Sequence, residues 1–130
     1  MPYMVMEHEI DPSKKLLDEL GDISDLVLFN NQVLVATYIR PQKTKSGIYL
    51  TEKHVDEDRF QSKVGLVIKK GPLAFDDETG QWFNGVKVEL NDWIVHRPSD
   101  GWSITINNVP CRILDDTSVR GTIKHPDMVW

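Results

Sequence analysis

The sequence predicts a small all-β domain, a barrel or a sandwich, preceded by one short helix. Two observations point to the strands. From Leu26 onward, short runs rich in β-branched and aromatic residues recur at near-regular spacing, with turn residues between them. Neither a βαβ rhythm nor an internal repeat breaks that pattern. A third observation sets the first 27 residues apart, because they carry a helix-start signature in place of strand alternation.

Asp11-Pro12-Ser13 is that start, with Asp11 as N-cap and Pro12 in the first helical position. Leu16, Leu17, Leu20 and Ile23 follow at helical spacing, and Gly21 is the stop. A helix of about two turns is marginal alone and must pack on something, either its own domain or a neighbour. Val27-Leu28-Phe29 and the run Val33 to Ile39 read as strand, with Asn30-Asn31 between them and Arg40-Pro41 at the end. In Lys45-Ser46-Gly47-Ile48-Tyr49-Leu50-Thr51, three bulky apolar residues stand behind a Ser-Gly break, and a polar, charged run from Glu52 to Lys63 follows. Val64 to Ile68 is another strand, closed by Gly71-Pro72. Residues 73–87 are loop-like, with turn signals at Asp76 to Gly80 and at Asn84-Gly85; Trp82 and Phe83 lie between them, on a short hairpin. Val86 to Leu90 alternates apolar and polar, Asn91-Asp92 turns, and Trp93 to His96 forms a strand ended by Pro98. Ser99-Asp100-Gly101 turns, Trp102 to Ile106 alternates, Asn107-Asn108 turns again, and Val109 to Leu114 returns. After Asp115-Asp116 comes a last strand, Val119 to Ile123.

The 130 residues fit one domain, and 40% hydrophobic content is enough for a core. Small domains bury a modest share of their surface, so assembly into a homo-oligomer would help. Net charge is −5, and Lys and Arg are scattered without a basic stripe, which argues against a nucleic-acid partner. No apolar run approaches the roughly 18 residues of a membrane span. Residues 1–10 lack the basic start and long apolar core of a signal peptide. One cysteine, Cys111, makes neither an internal disulfide nor a Cys-rich metal site. The expected compartment is therefore the cytosol, of a cell or of an infected host.

Chemistry is not visible in the sequence. His8, His54, His96 and His125 are far apart and lack metal-type spacing. Asp76-Asp77-Glu78 lacks the ligand periodicity of a calcium loop and reads as a solvated turn. Cys111, between Pro110 and Arg112 on a strand, reads as an inert thiol. With no phosphate-cradling glycine loop, nucleophile elbow or Ser-His-Asp set, the expectation is a protein without catalytic residues, metal or cofactor.

In order and spacing these segments resemble the small co-chaperonin family, the GroES-like ring subunits that cap chaperonins. Val88-Glu89-Leu90-Asn91-Asp92-Trp93-Ile94-Val95 is similar to the family's V-x-V-G-D-x-V-x segment. Ile106-Asn107-Asn108 resembles its I-D-N/G-E turn, and Ile113 to Val119 resembles L-I-x-x-E-S-D-I. Val64 to Ile68 with Gly71 resembles R-G-x-V-x-x-V-G, and Val33-Leu34-Val35 resembles the opening R-V-x-V strand. Lys45 to Leu50 resembles the mobile loop, S-x-G-G-I-x-L, with one glycine where two are usual. Leu28 and Gln32 stand where the family has Pro and Arg. The resemblance implies a GroES-like β-barrel over residues 28–123, an N-terminal extension with a short helix over 1–27, and a C-terminal tail over 124–130.

The resemblance also implies a non-enzymatic function. Ile48, Tyr49 and Leu50 would be the tripeptide that binds an ATP-dependent chaperonin, with Ser46 and Gly47 as the loop hinge. Each buried side chain is worth roughly 1.5–3 kcal/mol, and ordering each loop residue costs roughly 1–2 kcal/mol. One loop then binds weakly, while a ring of loops raises avidity by about 10²–10⁴. The charged run from Glu52 to Arg59, Asp58 included, would keep the loop solvated. The competing reading of the same residues is an ordinary hairpin strand, with Ile48 and Leu50 facing the core. Ring closure would pair first and last strands of neighbouring subunits, here Val33 and Val35 with Val119 and Ile123. In the alternative reading Arg120 and Lys124 protect a monomer's edge. Extensions at both ends are familiar in virus-encoded relatives. They keep open a second function, a capsid cement or decoration subunit in the virion, with the major capsid protein as partner and the termini as arms.

Overall fold

The computed structural model describes residues 10–40, 54–75, 83 and 86–129. The first element, α1, spans Pro12–Leu20. The Asp11 carboxylate accepts from the Ser13 backbone N–H at 3.1 Å and from its hydroxyl at 3.0 Å, satisfying the helix start. Gly21 ends it in the left-handed region at φ 68°, and its N–H reaches the Leu17 carbonyl. Leu16 and Leu20 are buried in the core, whereas Leu17 faces out. The Asn107 amide donates to the Leu20 carbonyl at 2.6 Å and fastens the helix C-terminus. The helix therefore covers its own domain.

Among the described residues, the strands form an antiparallel sheet of six in the order β4-β5-β1-β2-β3-β6. Its strands are β1 Gln32–Thr37, β2 Val64–Lys70, β3 Trp93–Val95, β4 Trp102–Ile106, β5 Val109–Asp115 and β6 Gly121–Ile123. Side chains alternate across a strand, and here both faces are covered. Leu34, Ala36, Tyr38, Leu66 and Trp93 join α1 on one face, and Val33, Val35, Val67, Ile94 and Leu114 pack on the other. Burial on both faces explains why β1 reads as a continuous apolar run. Asn107 and Asn108 both have positive φ, 49° and 66°, so β4 and β5 join through a two-residue turn between Ile106 and Val109. At Gly71 an added Cβ would strike the carbonyl oxygens of Asn30 and Phe29, so only glycine lets β2 end against that segment.

Four local expectations are corrected. Val27-Leu28-Phe29 is not a strand of the sheet: only Leu28 turns inward, and Val27 and Phe29 stay largely exposed. Residues 86–90 are irregular, although Val88 is buried between exposed Val86 and Leu90. The last strand is shorter than expected, because a 3-10 turn over Asp116–Ser118 precedes it and Val119 follows that turn outside the ladder. Within the polar run, His54–Gln61 is a helix, α2. Helix recognition relies on an apolar stripe, and among the described side chains of α2 the one buried completely is the carboxylate of Asp58.

Candidate functional site

β1 leads directly into the segment that carries the expected docking tripeptide. Ser46, Gly47, Ile48, Tyr49 and Leu50 themselves lie outside the described residues, as do Trp82 and Asp76-Asp77-Glu78 of the later loop. The two flanks of residues 41–53 are described, and they are tied together. Asp58 of α2 accepts the Arg40 backbone N–H at 2.7 Å, Arg40 Nε at 3.2 and 3.1 Å, and Arg40 Nη2 at 2.8 Å. Arg40 is 9% exposed and Asp58 0%. A buried carboxylate is costly unless paired and hydrogen-bonded, and this one has a guanidinium fork plus a backbone donor. Asp58 is thus a structural anchor, not part of a solvating run.

Tyr38, two residues before Arg40, donates its hydroxyl to Asp127 Oδ1 and meets Trp93 edge to face at 5.7 Å. Burial and the adjoining carboxylate push the phenol well above its ordinary range, so it remains a donor. Asp127 belongs to a 3-10 turn, Pro126–Met128, in which His125 Nδ1 accepts the Asp127 N–H at 3.2 Å. Pro126 and Asp127 are buried and Val129 packs on the core, so the tail is docked on the sheet next to the exit of β1.

The sheet places the expected inter-subunit residues unequally. β1 is bonded to β5 on one side and β2 on the other, and Val33 and Val35 are fully buried. An interior strand has no edge to offer a neighbour, so the pairing expected of Val33 and Val35 is not available to them. Ile123 is in β6, paired with Trp93, and β6 stands at one end of the strand order. Val119 packs beside the Val33 and Val35 cluster. Beside β6 lies a groove of about 450 Å³ lined by Asn91, Asp92, Trp93, Thr122, Ile123 and Lys124. The extended segment 26–29 carries exposed Val27 and Phe29 at 64% and 72%.

A second polar cluster lies on the opposite face from Tyr38. His96 is buried; its Nδ1 donates to the Arg97 carbonyl at 2.8 Å, and Nε2 has no hydrogen-bond partner among the described residues. Burial, aided by the Arg112 charge, holds the imidazole below its ordinary pKa. Arg112 donates to the carbonyls of Asp100 at 2.8 Å and Phe60 at 3.0 Å, joining the β3–β4 turn to α2. Asp116 accepts from Asn31 Nδ2 and the Phe75 N–H, each at 3.0 Å, and so fixes the start of the loop after β2, where Phe75 packs on Phe83. Burial pushes the Cys111 thiol up to about 11, leaving it protonated. Among the described residues no group of three or more His, Cys, Asp or Glu is arranged to hold a metal ion, and no helix is long and apolar enough to cross a membrane.

Sequence reasoning missed Arg40, Asp58, Asp116 and Asp127. Each is a charged residue in a turn or polar run, where burial leaves no periodic signal. Only Asp127, after Pro126 in a tail with Met128 and Val129, had a local hint of order.

Among the described residues, the Arg40–Asp58 pair and the Tyr38–Asp127 contact gather where the chain leaves β1, and β6 stands at one end of the sheet. The chain belongs to the Chaperonin 10 Kd subunit family, whose sequence model matches residues 26–123. Members of that family are non-enzymatic partners of chaperonins, and the all-β fold here is of their GroES-like type. No individual curated protein matches the chain.

Proposed function

We propose that the protein is a co-chaperonin ring subunit that docks on an ATP-dependent chaperonin through Ile48, Tyr49 and Leu50, with Ser46 and Gly47 as the hinge, and thereby assists protein folding. The observation that carries this reading is the family match over residues 26–123. The tie between Arg40 and Asp58 supports it, because it joins the two flanks of the segment that carries the tripeptide. Ring closure uses β6, with Ile123, and the groove beside it; the neighbour contributes the extended segment 26–29, whose Val27 and Phe29 leave water on assembly. Val119 packs within its own subunit, on the Val33 and Val35 cluster.

The capsid-subunit alternative requires termini that act as arms. The described parts of both extensions lie on their own subunit, with Leu16, Leu20, Pro126 and Asp127 buried, so the co-chaperonin reading is preferred. A pull-down with chaperonin and nucleotide tests it. Wild type is retained only with nucleotide and Ile48→Asp is lost; absence of nucleotide-dependent retention of wild type refutes the reading.

A further inference from the structure

We propose that the C-terminal segment 124–129 is a positioning element for the docking excursion: Asp127 holds Tyr38 while Asp58 holds Arg40, and together they fix how the chain leaves β1. The inference rests on the docking reading above. The family match ends at residue 123, so these residues lie outside the matched range. They nevertheless reach a position that matters for the excursion. The Tyr38 hydroxyl meets Asp127 in the interior, both residues being at most 6% exposed. Two residues further on, Arg40 is gripped at both its backbone and its guanidinium.

Three features make the tail a clamp in place of a loose end. Its 3-10 turn is capped by His125. Val129 adds an apolar anchor on the core. Only Lys124 and His125 separate β6 from Pro126, so the tail has little slack. A stem already held in one direction loses less freedom on docking than a free one, and every subunit of a ring gains alike. Asp127 and Asp58 are accordingly positioning residues; neither is required to touch the partner.

The test uses the full-length protein as wild type, Tyr38→Phe, Asp127→Ala, the double variant and Ile48→Asp. Tyr38→Phe removes one hydroxyl and keeps the ring on Trp93. Amide exchange in the isolated protein reads the clamp, and nucleotide-dependent chaperonin binding reads the docking. Both single variants are expected to speed exchange at residues 38–40 and 54–61 and leave the β4–β5 hairpin unchanged. Their affinity for chaperonin should fall about tenfold, with the double variant no worse than Asp127→Ala alone. Unchanged exchange at 38–40 overturns the proposal. So does faster exchange with affinity preserved, and so does an equal rise across the hairpin, which would make the tail a general stabiliser. Wild-type binding by Ile48→Asp would instead refute the docking reading, independently of the exchange result.

Discussion

At the scale of single residues, the charged groups that matter are the ones taken out of water. Asp58 is fully buried with Arg40 as its partner. Removing one member of such a pair strands the other, so Asp58→Ala should cost about 3–5 kcal/mol in urea unfolding. Arg40→Ala should cost a similar amount, and the two losses should not add. His96 gives a pH dependence whose sign follows from its burial. Its folded pKa lies below the ordinary 6.5. Below 6.5 the unfolded chain takes up a proton that the folded chain refuses, so stability falls as pH drops through that window and is fully recovered above it. The urea midpoint should decline from pH 7 to pH 5.5, and His96→Gln should flatten that decline; an equal slope in the variant would assign it to other groups.

Elements show which parts of the fold were legible in the sequence. α1 was readable because its cap, its proline and its apolar spacing all agreed, and β4–β5 because paired asparagines mark a turn needing positive φ at both positions. Two strands were over-read. In 27–29 and 86–90 the β-branched residues are present, but Val27, Phe29, Val86 and Leu90 face water and no neighbouring strand pairs with them. α2 was not read at all, since a helix that buries a carboxylate has no apolar stripe. Of the proposed site, the sequence suggests the tripeptide, which lies outside the described residues, and gives no sign of Arg40, Asp58 and Asp127, whose contacts form only through the fold. Two measurements follow at this scale. Leu20→Ala should lose about 2–5 kcal/mol while Leu17→Ala stays within about 0.5 kcal/mol, both by denaturant unfolding. Asn108→Val should cost about 1–2 kcal/mol for its left-handed backbone, whereas Asn108→Gly should be nearly neutral.

For the whole molecule, the features that bear on assembly are the β6 end of the sheet, the groove beside it and the exposed Val27 and Phe29. Light scattering should report a closed ring, and Val27→Glu combined with Phe29→Glu should reduce it to monomers without unfolding, since both side chains are already exposed in the subunit. A ring unaffected by that pair would place the interface elsewhere. The account as a whole depends on the tripeptide meeting a chaperonin. A photo-crosslinking amino acid in place of Tyr49, irradiated with chaperonin in the presence and absence of ATP, measures that contact directly. The expected result is a covalent adduct with the chaperonin that requires ATP and disappears with Ile48→Asp. Crosslinks confined to the protein's own subunit under every condition would contradict the account.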